Sequence, residues 1–153
     1  MRLGLFEPEI PQNTGTLLRF GACLGVGVDI IEPCGFVWNH PSFKRAVMDY
    51  SDHVDCRRYS DFIDFMQDRP GRVVPVIVSG KTALYDFHFH PNDTLLFGKE
   101  STGIPHDLIQ GMPSVFISMV GKCRSLNLAT AAAMAVSEAV RQSTLFSGTG
   151  RGK

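Results

Sequence analysis

Apolar runs at residues 1–6, 28–31, 73–78, 94–97 and 115–119, with a weaker one at 54–59, punctuate the chain, and segments with helically spaced apolar residues lie between them. The runs are continuous rather than alternating, as expected of strands whose two faces are both covered by helices. The first stops at Glu7-Pro8, after which Gln12, Asn13 and Thr14 offer helix caps ahead of Leu17, Leu18, Phe20 and Leu24. A turn at Pro33, Cys34 and Gly35 follows the second run, short helices are predicted over 42–48 and over 61–66, and a turn or helix follows Pro105. The last long element is an alanine-rich helix over 126–142, in which Ala131, Ala132, Ala133, Ala135 and Ala139 give slim faces for close packing. Alternation of this kind predicts an α/β domain with a largely parallel sheet flanked by helices.

The 153 residues show no internal repeat and no linker, so they read as one domain, 1–153, with a low-complexity tail from about 147 that is expected to fray. A chain of this length buries about 68–70% of its unfolded surface and needs no metal or disulfide to hold its core. Its formal charge is zero, which lacks the strongly basic signature of a protein that coats nucleic acid and leaves only a local basic patch open. Apolar stretches break well short of the roughly 18 residues of a membrane span, and the start MRLGLFEPEI is not built as a signal peptide; the cytoplasm is the expected compartment. Cys23, Cys34, Cys56 and Cys123 form no C-x-x-C pair and read as small buried hydrophobes.

In open α/β sheets ligands sit beyond the carboxyl ends of strands, which directs attention to three loops. They are Ser79-Gly80-Lys81, the stretch GKESTG from Gly98 to Gly103, and GKCRSLN from Gly121 to Asn127. Each is rich in glycine and suits a ligand held by main-chain groups. No G-x-G-x-x-G follows the first strand, and GTGRGK near the end lacks the spacing of a phosphate loop. Arg19, a turn or so inside the first helix, either snorkels to solvent or offers a guanidinium to a phosphate. His88 and His90, near Asp86 and Asp93, raise a metal site that the turn at 91–93 argues against, so no metal is expected. Asp49, Asp52 and Asp55 read as a solvated face.

Three segments in order, PQNTGTLLRFGACLG, LLFGKESTGIP and SLNLATAAAMAVSEAVRQ, resemble the motifs of the SpoU branch of the SPOUT RNA methyltransferases over nearly the whole chain. The opening LFEPEIPQNTGTLLR and the IIEPCGF turn are most similar to the small members that methylate the ribose of the tRNA wobble nucleotide. That resemblance implies a deep C-terminal trefoil knot, S-adenosylmethionine as cofactor, the tRNA anticodon stem-loop as substrate, and a homodimer whose sites are completed by the partner chain. It places Val76, Gly98, Ile117, Ser125 and Leu126 around the cofactor, and it gives Arg19 the catalytic role. Asn13, Ser125 and Asn127 are expected to orient Arg19 and the RNA backbone, and Glu100 to organise the middle loop. One departure stands out: the family commonly has Gly-Pro-Glu where this chain reads Gly98-Lys99-Glu100. Three alternatives remain open on sequence alone: a 2′-O-methyltransferase acting on another tRNA or rRNA nucleotide, a catalytically silent RNA-binding module of the same fold, and a metal enzyme using His88 and His90.

Overall fold

The structure, a computed structural model, describes residues 1–38, 53–121 and 124–143. Strand β1 (Arg2–Phe6) leads into α1 (Pro11–Leu24), then β2 (Gly27–Ile31), β3 (Cys56–Tyr59) and α2 (Phe62–Gln67). The chain continues through β4 (Val73–Pro75), β5 (Thr82–Ala83), β6 (Thr94–Phe97), α3 (His106–Ile109), β7 (Val115–Phe116) and α4 (Leu128–Gln142). Five strands form a parallel sheet in the order β3-β2-β1-β6-β4, and β5 pairs with β7 in a second, two-stranded parallel sheet.

The period of two along each strand divides the core into two layers. Leu3, Leu5, Val28, Ile30, Val74, Leu95 and Phe97 face α1 and α4, where they meet Leu17, Leu18, Ala132, Ala135, Val136 and Ala139. Phe6, Ile31, Val73 and Leu96 face the other way, against Phe65 of α2 and Ile109 of α3. Both faces are buried, which is why the strands read as unbroken apolar runs. The predicted slim face of the last helix is used in part: Ala132, Ala135 and Ala139 are fully buried, while Ala131 and Ala133 are half-buried.

A charged group lies inside the second layer. The fully buried Asp29 carboxylate accepts from Arg2 Nε at 2.9 Å and from Arg69 Nη1 at 2.6 Å, so the charge is paired on both sides. Asp55, expected on a solvated face, is an exposed partner of Arg2 in this network. Asp49, Asp52, the helix predicted over 42–48 and the tail lie outside the described residues.

Several boundaries differ from the sequence expectation. Helix α1 starts at Pro11 with Ile10 as its N-cap and no side-chain cap bond, so Asn13 and Thr14 sit inside its first turn. The run at 73–78 leaves the large sheet after Pro75: Val76 N–H still donates to Leu96, but Ile77 N–H donates to Val115, so the chain crosses to the second sheet. Pro75 is tolerated because β4 is an edge strand. The run at 115–119 is extended only at Val115–Phe116, and α4 begins at Leu128 because Asn127 caps it, its Oδ1 accepting from Ala129 N–H (2.9 Å) and Thr130 N–H (3.3 Å). Cys23 is exposed on α1, contrary to a buried role, whereas Cys34 and Cys56 are half-buried against the core and burial pushes both thiols up to about 11. Cys123 is outside the described residues.

Candidate active site

From β1 the chain builds outward to β2 and β3 on one side, then fills β4 and β6 on the other, so the order reverses between β1 and β6. A crevice is expected beyond the carboxyl ends of the strands at such a switch point. A cleft of about 960 Å³ lies there, bounded by the segments that leave β1, β4, β6 and β7. Ile10 and Asn13 come from the first, residues 76–79 from the second, 97–104 from the third, and Ile117, Met119 and residues 125–128 from the last.

Parts of the three loops singled out in the sequence therefore converge: Ser79 of the first, residues 98–103 of the second and 125–127 of the third. Val76, Gly98, Ile117, Ser125 and Leu126 all line the cleft, together with Asn13, Glu100 and Asn127. Val76, Ile77, Ile104, Ile117 and Leu128 supply apolar wall, and Leu126, 37% exposed, stands at the rim. Gly98 is required for a different reason from the one expected. An added Cβ would lie 2.3 Å from the carbonyl carbon of Gly103 and 2.5 Å from Ile104 N, so it is the chain's own backbone that approaches. The two strands of that loop are tied by Lys99 N–H to Gly103 O (3.2 Å) and Gly103 N–H to Lys99 O (2.9 Å), a pairing that proline at position 99 could not complete.

A chain of amides and one carboxylate crosses the cleft floor. Asn13, 8% exposed, donates from Nδ2 to Glu100 Oε1 (3.0 Å) and accepts at Oδ1 from Asn127 Nδ2 (3.1 Å). Glu100 also accepts from the backbone N–H of Glu9 (2.8 Å) and Ile10 (3.3 Å). Asn127 thus divides its work by atom: the carbonyl oxygen caps α4 and the amide nitrogen holds Asn13. Lys99 pairs with Glu7 at 2.5 Å, and that contact raises its ammonium pKa.

Arg19 does not line this cleft. It lies with Gln12, Thr16 and Cys23 on the exposed stripe of α1. Among the described residues no group of three or more His, Cys, Asp or Glu side chains could hold a metal ion. Arg72 Nη2 donates to the His88 carbonyl and His90 N–H donates to Asp93, so this segment serves as a braced turn. Among the described residues no helix is long and apolar enough to cross a membrane.

A largely parallel α/β sheet with a backbone-lined, apolar-walled cleft at its switch point defines a domain that binds a small organic molecule. Residues 1–137 match the SpoU rRNA Methylase family, and the chain belongs to that family. It is 44% identical over 144 residues to a protein of Beijerinckia indica named tRNA (cytidine(34)-2′-O)-methyltransferase, covering 92% of this chain and 90% of the relative. The Escherichia coli K12 protein of the same name is 35% identical over 146 residues, with 93% of each covered. A solved structure described as giving insights into the 2-OH methylation of C/U34 on tRNA superposes with a TM-score of 0.89 at 43% identity, over 92% of this chain and 94% of the other. The SpoU methyltransferase AviRb from Streptomyces viridochromogenes, solved in complex with AdoMet, gives 0.81 at 26% identity, over 93% of this chain and 60% of that one.

Proposed function

We propose that the protein transfers a methyl group from S-adenosylmethionine to the ribose 2′-hydroxyl of nucleotide 34, the wobble position of the tRNA anticodon loop. The observation that carries this reading is the joining of Asn13, Glu100 and Asn127 across one cleft. The relatives named for that reaction match over more than nine-tenths of the chain.

The residues present fit the cofactor. A space of about 960 Å³ with aliphatic walls at Val76, Ile117 and Leu126 accepts a flat heteroaromatic ring, and loop 98–104 offers main-chain groups to its edge. Bound S-adenosylmethionine supplies a methyl carbon activated by its sulfonium. The protein's part is to hold the ribose oxygen in line with that carbon and to stabilise charge as the hydroxyl proton leaves. Arg19 is the guanidinium for that task, holding a phosphate or the nascent alkoxide. Guanidinium holds its proton tightly and is a poor base, so stabilisation is its primary role. Ser125, exposed at the rim, faces the RNA, and Asn13 and Asn127 keep the cleft floor in register beneath it.

Arg19 is exposed and outside its own chain's cleft, which supports a homodimer in which it serves the partner's site. The return of α4 beside α1, with Ile117, Met119 and residues 125–127 lining one cleft with 76–79 and 97–104, supports a C-terminal trefoil knot in a single domain. A tRNA substrate sets the cytoplasm as the working compartment.

Incubating bulk tRNA with methyl-labelled cofactor and mapping the product tests this directly. Label is expected on the ribose of nucleotide 34. Arg19→Ala is expected to bind cofactor within about twofold of the parent while methylating about 10²–10³-fold more slowly, the usual cost of losing one charge-stabilising donor. Label on a base, or an unchanged rate, overturns the proposal.

A further inference from the structure

The middle loop and the first loop are held together by more than Glu100. Glu9, whose backbone N–H donates to the Glu100 carboxylate, turns its own carboxylate back to Ser101, accepting from the backbone N–H at 2.8 Å and from Oγ at 2.8 Å. Each acidic side chain thus takes a backbone N–H from the other's loop, the reciprocal pattern of a capping box, built here between segments 92 residues apart. Lys99 to Glu7 adds an ion pair on the same seam. Glu7 sits at φ 45, a conformation that L side chains adopt only when their surroundings hold them there. The Ser101 hydrogen bonds lower the Glu9 carboxyl pKa.

We infer that Glu9 and Ser101 are positioning residues: their clasp locks loop 98–104 against residues 7–10 and so aims the Glu100 carboxylate at Asn13 and the start of α1. The inference deepens the proposed function and rests on it for its catalytic meaning, but the clasp has a signature of its own that needs no ligand. Glu9 lies outside the cleft lining, and Ser101, on the loop that borders the cleft, gives its N–H and its hydroxyl to Glu9, so the pair acts on the site through Glu100.

The test uses Ser101→Ala, which removes one of the two bonds to Glu9, and Ser101→Thr, which keeps the hydroxyl. Amide hydrogen exchange is followed at residues 9 and 10 of the whole protein, whose donors meet Glu100 and not Ser101. In Ser101→Ala exchange there is expected to rise about tenfold, the ratio for roughly 1.4 kcal/mol. The Kd for S-adenosylmethionine and its KM are expected to rise about five- to tenfold, with kcat for tRNA within about twofold of the parent. Ser101→Thr should restore all of these. Exchange at 9 and 10 unchanged in Ser101→Ala, or changed equally in Ser101→Thr, overturns the clasp. Should Ser101→Ala fail to fold, Glu9→Gln, which keeps one acceptor, is read by the same amides, and parental exchange there overturns it equally. If the parent protein gives no binding heat with S-adenosylmethionine while the exchange coupling is present, the proposed function fails and the clasp stands.

Discussion

Gly98 and Gly103 face each other across the middle loop, and replacing each by alanine separates two physical effects. At Gly98 the added Cβ meets backbone at 2.3 Å, where ordinary contact begins at 3.4 Å, so the opposing strand must retreat by about 1 Å. That retreat stretches the 3.2 Å bond from Lys99 N–H to Gly103 beyond hydrogen-bonding range. Forced overpacking costs about 1–3 kcal/mol and a lost backbone bond about 0.5–1.5 more. At Gly103 no atom lies within 4 Å of the new Cβ, but φ is +72, so alanine there bears only the left-handed penalty of about 1 kcal/mol. Urea unfolding of both variants, with calorimetric titration of S-adenosylmethionine, reads the difference. Gly98→Ala is expected to lose about 2–4 kcal/mol and to weaken cofactor binding at least tenfold, whereas Gly103→Ala loses about 1 kcal/mol. Equal stability of the two variants, or parental affinity in Gly98→Ala, would refute the claim that a backbone crossing shapes the cleft.

Asn127→Asp keeps the oxygen that caps α4 but puts a carboxylate where an N–H donates to Asn13 Oδ1, so helix content should hold while methylation falls about tenfold, the scale of one lost half-buried hydrogen bond; circular dichroism beside a turnover assay checks both. Glu138 is held down to about 2, first by Arg141 and then by Gln142. A depressed carboxyl stabilises the fold above its unfolded pKa of 4.5 and loses that contribution as pH falls toward 2, so Glu138→Gln should lower Tm on the neutral plateau and flatten its fall between pH 4.5 and 2, the two proteins converging at the acid end. A parallel acid limb in parent and variant would contradict it.

The strands at the centre of the sheet were legible because burial on both faces leaves an unbroken apolar run, as in Leu3, Gly4, Leu5 and Phe6. The two-residue strand β5 was not, since so short a segment carries no period. The run from Val73 misled in length because Val76 and Ile77 hand their hydrogen bonds from one sheet to the other without any change in apolar character. At the site, glycine-rich loops after strands located the cleft, and Asn13, Glu100 and Asn127 were singled out through resemblance. The pairing of Glu9 with Ser101, and the buried Arg2–Asp29–Arg69 set, join residues far apart in the chain, and nothing local in the sequence records such a partner.

The missing cap of α1 explains why the distant carboxylate matters. Its first turn carries no acidic residue and its N-cap is Ile10, so the helix start has neither a side-chain acceptor nor a charge to meet its dipole. Glu100 supplies both from another loop, which frees Asn13 from the capping role that the sequence suggested and lets its amide bridge Glu100 to Asn127. The helix that carries Arg19 is therefore completed by the same loop that lines the cleft. A shift in loop 98–104 must be felt at the start of α1, and the groups proposed to hold cofactor and RNA are mechanically one assembly.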